Sequence, residues 1–265
     1  MPIPALSRAG LDEHLDALGL RHGHHVTVHS RLLALGMVDG GAATVMATLR
    51  DAVGPEGTIV VPAYCWQHAP DFVFDPRSTP PEKVGTLSTH AWEMGGWSRS
   101  PCPIHSHLGF GAKAPLLAAV SGLDSTGPDS DFALFHREGF HLLTLGLSLG
   151  PGATYLHHVE DCAAVPYRQP LLLSRQRRRP DGAVEPIQMR YYGAASPSCG
   201  GPGRWRENFD AVEPHLETHG ALTRVPCALT GYSTYCAIAD LHDQTMALLA
   251  QDPYALVLPP DETEA

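Results

Sequence analysis

The residues best suited to chemistry are clustered in Thr154-Tyr155-Leu156-His157-His158-Val159-Glu160, followed by Asp161. Three or four residues apart on a helix, His157, Glu160 and Asp161 can share one face. An imidazole with a carboxylate one turn away has the makings of a general base, because the carboxylate can fix the tautomer and tune the ring. The same pattern also suits a buried structural histidine, and spacing alone leaves both readings open. His157-His158 is too close a pair for two ligands at i, i+4, while His105 and His107 would face one side of a strand. The chain has no GxGxxG, no Walker motif and no HExxH. The cysteines at 65, 102, 162, 199, 227 and 236 form no CxxC. We therefore expect no metal and free, mostly buried thiols rather than a disulfide framework.

These residues need a layered α/β scaffold to position them. Residues 11–20 have helical spacing, 25–30 alternate as a strand, 42–53 read as a helix closed by Gly54-Pro55, and 57–62 read as a buried strand. Residues 139–146 are the clearest central strand, 148–152 a turn, and Thr154 a plausible cap for a helix that ends at Pro166. His157 then lies just past a strand end, where α/β sheets place their crevices. Residues 63–86 and 98–111 read as irregular, the first as a binding loop in which Trp66 and Asp71 are candidate acceptor contacts, with Asp161 a third. Segment 85–92 begins a helix and 112–120 is helical. Residues 175–182 form a basic hairpin tip, 193–203 a small-residue loop, 206–219 a helix, 221–228 a strand, 238–251 a helix and 254–258 a short strand. Ser30, at the end of a strand, and Gly40-Gly41, at the start of a helix, can offer a hydroxyl and backbone N–H groups to a phosphate. The expected organisation is a single domain over residues 1–265 with an inserted lobe around 168–205.

The chain carries 28 acidic and 18 basic residues among 265, a net charge of -10. This balance opposes a general nucleic-acid binder and is compatible with a cationic ligand. No apolar run reaches bilayer-spanning length, and the N-terminus does not read as a signal peptide, so the expected location is the cytoplasm with no membrane partner.

Taken together, several segments resemble the aminoglycoside 3-N-acetyltransferase family. They are His29-Ser30-Arg31-Leu32, Asp39-Gly40-Gly41, residues 49–62, Phe74-Asp75-Pro76 with Thr79-Pro80, Pro103-Ile104-His105-Ser106 with Gly109 and Gly111, and residues 143–166. The resemblance implies a three-layer α/β/α fold with a central mixed sheet and a long substrate groove. It implies acetyl-CoA as cosubstrate, an amino sugar as acceptor, His157 as catalytic base supported by Glu160, and Ser30, Arg31, Gly40, Gly41 and Ser106 at the coenzyme. The sequence departs from the family in three places. Arg31 replaces a second serine and can reach a CoA phosphate, Cys102 replaces a histidine, and residues 193–203 contain no Asp or Glu. The last departure favours an acceptor with fewer amines, so kasugamycin stands beside the deoxystreptamine aminoglycosides as the expected substrate. An acyl-CoA-dependent N-acyltransferase of secondary metabolism, a non-catalytic CoA- or drug-binding protein and a zinc hydrolase are the competing readings. A monomer or homodimer suits any of them.

Overall fold

The structure, a computed structural model, describes residues 2–194 and 205–259. Apolar and β-branched runs make the middle of a seven-stranded mixed sheet. Its strands are β1 (His25–Ser30), β2 (Thr58–Pro62), β3 (Ser98–Arg99), β4 (His107–Gly111), β5 (His141–Leu145), β6 (Thr223–Pro226) and β7 (Tyr232–Ala237). The spatial order is β6-β7-β5-β1-β2-β4-β3. β1 lies parallel to β2 and β5, and the outer pairs are antiparallel. The three parallel strands therefore end on the same edge of the sheet.

Alternation along the strands sends side chains to two cores. Val26, Val28, Ile59, Val61, Leu143 and Leu145 pack on one face with helices α1 (Arg8–Leu18), α2 (Gly41–Val53) and α3 (Gly85–Met94). Val60, Leu142 and Cys236 pack on the other with α4 (Asp131–Arg137), α5 (Leu156–Cys162) and α6 (Ile238–Gln251). Helices thus cover both faces of a mixed sheet, as expected. Each fully buried Leu, such as Leu143, contributes about 2 kcal/mol by leaving water. Beyond this sheet, strands Arg168–Arg178 and Val184–Ala194 form a long antiparallel hairpin, extended by Val73–Phe74. The hairpin packs Met189 against Cys102 and Ile104.

Several elements differ from the expected ones. Residues 98–111, expected to be irregular, supply β3 and β4. The glycines in β4 serve packing, since a Cβ on Gly109 would lie 2.6 Å from Leu117 Cδ1, and Gly111 has φ +105° with Gly57 O 2.2 Å from a Cβ position. Helix α4 and strand β7 come from segments not assigned to any element. Segment 206–219 is a two-residue strand, a 3₁₀ turn and only then a helix, Glu213–Thr218, with Pro at its first turn. Segment 112–120 keeps just four helical residues, Pro115–Ala118. The expected turn at 148–152 is a one-turn helix, Leu149–Gly152. Thr154 does not cap α5, whose N-cap is Tyr155 without a side-chain bond, and the helix stops at Cys162 before Ala164 adopts φ 50°. The small-residue loop at 193–203 lies, from residue 195, outside the described residues. No helix of the described chain is long and apolar enough to cross a membrane.

Candidate active site

Strand β5 ends at Leu145, and the chain turns through Leu149–Gly152 into α5. Apolar Leu156 and Val159 anchor α5 in the core, which leaves His157 on the outer side with 17% of its side chain exposed. His157 Nδ1 lies 2.8 Å from Glu160 Oε2. A carboxylate can only accept, so Nδ1 carries the proton and the Nε2 lone pair is left for chemistry. The ring packs edge-on against Phe209, with centroids 5.0 Å apart.

Glu160 has no exposed surface, yet its charge is compensated. Tyr167 donates its hydroxyl to Oε1 at 2.9 Å. Arg168 Nε lies 2.7 Å from Oε2 as an ion pair, although its N–H is not aimed along the oxygen. Burial and the Glu160 charge push the Tyr167 phenol above its ordinary range, so it remains a donor. Arg168 also pairs with Glu207 at 2.8 Å, and Glu207 lies 3.6 Å from His157 Nε2 with 52% of its side chain exposed. Glu207 went unnoticed in the sequence because it lies just past the small-residue loop, with no spacing relation to the histidine.

A cleft of about 450 Å³ opens where the parallel strands end. His29 and Ser30 end β1 and Arg31 follows it, Pro62 ends β2 and Tyr64 lies just beyond, and Leu147 follows β5. Thr154, three residues before His157, closes the wall; His157 itself is not among the lining residues. Lys83 joins Arg31 as a second cation, and Val84, Gly85 and Thr86 present the start of α3. That helix start has no side-chain cap, so its first N–H groups are available to an anion.

The expected coenzyme residues separate into two groups. Ser30 and Arg31 line the cleft. Gly40 and Gly41 open α2 at φ 76° and 60° but lie outside the lining, and α3 supplies the helix start instead. Ser106 is fully buried, and its hydroxyl donates to Ala63 O at 2.6 Å while accepting from Arg99. It is not brought to the cleft.

The expected acceptor residues are also dispersed. Trp66 is 42% exposed and stands edge-on to Tyr64 and His105. Asp71 is exposed in the same loop. Asp161 is almost buried, held by Arg190 and by Thr126 at 2.9 Å, so its carboxylate serves the fold. His105 and His107 do share a side, both against Tyr64 and Phe132. Their Nδ1 atoms are engaged with Ser125 at 2.8 Å and Asp131 at 2.7 Å. Desolvation above all holds His105 well below the ordinary imidazole range, so it stays neutral. Among the described residues five cysteines are free, with Cys65, Cys102 and Cys236 buried and Cys162 exposed.

A cation-lined cleft at the ends of parallel strands, near an imidazole held by a buried carboxylate, defines the class as an α/β protein with a strand-end ligand cleft. Comparison gives that class its family. The model of the aminoglycoside 3-N-acetyltransferase family matches residues 27–250, and the chain belongs to this family, whose reaction is acetyl-CoA-dependent acetylation of aminoglycoside-type substrates. Aminoglycoside N(3)-acetyltransferase VII of Streptomyces paromomycinus is 34% identical over 198 residues, covering 65% of this chain and 68% of the relative. The crystal structure of aminoglycoside acetyltransferase AAC(3)-Xa superposes with a TM-score of 0.81 at 26% identity, covering 95% of this chain and 94% of that one. AAC-IIIb, solved as a binary complex with CoASH, shares the fold with a TM-score of 0.78 at 23% identity, covering 97% and 100% of the two chains.

Proposed function

We propose that this chain transfers the acetyl group of acetyl-CoA to an amino group of an aminoglycoside, with His157 as general base. The observation that carries this reading is the His157–Glu160 pair, 2.8 Å apart, which engages Nδ1 and leaves Nε2 beside the exposed carboxylate of Glu207. Acetyl-CoA supplies a thioester. Arg31, Lys83 and the uncapped start of α3 suit its phosphates, and Ser30, the last residue of β1, lines the same cleft. The CoASH complex of AAC-IIIb supports this choice of cosubstrate.

The acceptor amine is an ammonium ion in neutral water and must lose a proton before it can attack. Glu207 attracts the ammonium group, and His157 Nε2 accepts its proton. The nitrogen lone pair then forms the N–C bond to the thioester carbonyl, and the C–S bond breaks toward the thiolate. His157 returns the proton to that sulfur, and the second proton that the nitrogen sheds as it becomes an amide passes to solvent, so the products are the amide, the free thiol of CoA and one released proton. Glu160 stabilises the imidazolium between these steps, as the carboxylate does in catalytic triads. The hydroxyls of Thr154 and Tyr64 on the cleft wall are candidates to support the carbonyl oxygen.

Because residues 193–203 carry no acidic side chain, Glu207 is the main local anchor, which suits kasugamycin as well as the deoxystreptamine drugs. Thiol release from acetyl-CoA should be measured with kasugamycin, gentamicin, apramycin and simple amines, with mass spectrometry locating the acetyl group. His157→Ala should lower kcat by about 10²–10⁴-fold and leave the acetyl-CoA dissociation constant nearly unchanged. Turnover at the parent rate in that variant would remove His157 from the mechanism.

A further inference from the structure

Three imidazoles converge on the side of α5 that does not carry His157. His136 comes from α4, His158 from α5 and His242 from α6, and one ring nitrogen of each lies within 4.8 Å of the others. Nothing in the proposed acetyl transfer uses them. We propose that His136, His158 and His242 bind a zinc ion, with Cys162 as the fourth ligand.

The hydrogen bonds around the cluster orient it for a metal. His158 Nδ1 bonds the carbonyl of Thr126, which can only accept, so the proton is on Nδ1 and the Nε2 lone pair faces inward. His242 Nδ1 bonds the Tyr155 hydroxyl at 3.0 Å, which again leaves Nε2 for the cluster. A ligating histidine is usually held this way, through its second nitrogen, by a carbonyl or polar group. The His136 and His242 rings lie 4.3 Å apart and the His158 and His242 rings 5.8 Å apart. Cys162 follows His158 by one helical turn, and its Sγ lies 3.7 Å from His158 Nε2. With its Nδ1 protonated, His158 Nε2 accepts from the Cys162 thiol, and zinc would replace that proton.

Three nitrogens and one thiolate form a donor set suited to tetrahedral zinc rather than to magnesium or calcium, which prefer oxygen. Bonds of about 2.0–2.3 Å require the three ring nitrogens to move together by about 1 Å, and Cys162 Sγ, outside their mutual 4.8 Å group, to swing further toward them. The consequence is mechanical. The ion would fasten three helices on one face of the sheet, and one of its ligands, His158, directly follows the proposed base His157.

Untagged protein, stripped with chelator and dialysed against micromolar zinc, should retain close to one zinc per chain. With zinc about a hundredfold above its dissociation constant, Tm should rise by roughly 5 °C. Cobalt(II) in place of zinc should give intense tetrahedral visible bands together with a thiolate-to-cobalt band in the near ultraviolet. His136→Ala, at a half-buried position, and His242→Ala should each weaken zinc affinity by at least about tenfold. Cys162→Ser should abolish the near-ultraviolet band. Failure to retain zinc, or equal zinc affinity in the parent and the folded His136→Ala variant, overturns the site. Cobalt binding without the near-ultraviolet band overturns the assignment of Cys162.

Discussion

Replacing Glu160 with Gln tests the proposed base through its support rather than by removing it. Glu160 Oε2 lies 2.8 Å from His157 Nδ1, which places the carboxylate about 4 Å from the centre of the imidazolium charge. At an effective dielectric constant of about 20, a pair of unit charges at that distance interacts by about 4 kcal/mol. Arg168, also paired with Glu160, offsets part of this, leaving about 3 kcal/mol for the protonated ring in the transition state. That is roughly a 10²-fold loss in kcat. The geometry tolerates the change. Gln Oε1 can still accept from His157, and its amide N–H can donate to the Tyr167 hydroxyl, which can reverse its role from donor to acceptor. Arg168 keeps Glu207 as a partner, so the stability cost should stay below the roughly 3–5 kcal/mol typical of breaking a buried ion pair outright. The assay is steady-state thiol release at saturating acceptor, with a thermal melt to confirm folding. A folded Glu160→Gln protein with kcat within about threefold of the parent would refute the argument that this charge stabilises the imidazolium.

Other perturbations separate the two halves of the site. Arg31→Ala should raise the KM for acetyl-CoA by about tenfold and leave the acceptor KM alone, which bisubstrate kinetics would show. Glu207→Gln should raise the acceptor KM by about fivefold, less at high salt, with acetyl-CoA KM unchanged. A pH effect on stability follows from His29, which burial, and then His107, lowers from 6.5 to about 3. Between those values the unfolded chain binds the proton and the folded one does not, so stability is lost as pH falls from about 6.5 toward 3. Two pH units below 6.5 the loss from this group alone is on the order of 2–3 kcal/mol. Urea melts at neutral and mildly acidic pH should show it, and His29→Gln should flatten the dependence; an equally steep loss in that variant would assign the effect to other groups.

The elements legible in the sequence were those whose own residues dictate them. The burial pattern of His25–Ser30 and Thr58–Pro62 follows from apolar, β-branched runs, and α2 ends where Gly54 makes continuation unfavourable. β4 was hidden because its glycines read as loop residues, whereas the neighbouring Leu117 and Gly57 leave no room for a Cβ there. His157 and Glu160 could be paired from sequence because one helical turn joins them, and the chain alone settles that relation. The same reasoning failed for Asp161, since a helix position does not reveal that Arg190, brought in by the hairpin, will hold its carboxylate. Nor does local pattern place Glu207 next to His157, gather Arg31 and Lys83 in one cleft, or bring His136, His158 and His242 together from three helices. Those groupings depend on long-range packing across the sheet. The sequence determined the pairing of His157 with Glu160, and the tertiary structure decided which charges and imidazoles surround them, because only burial and through-space distance set those contacts.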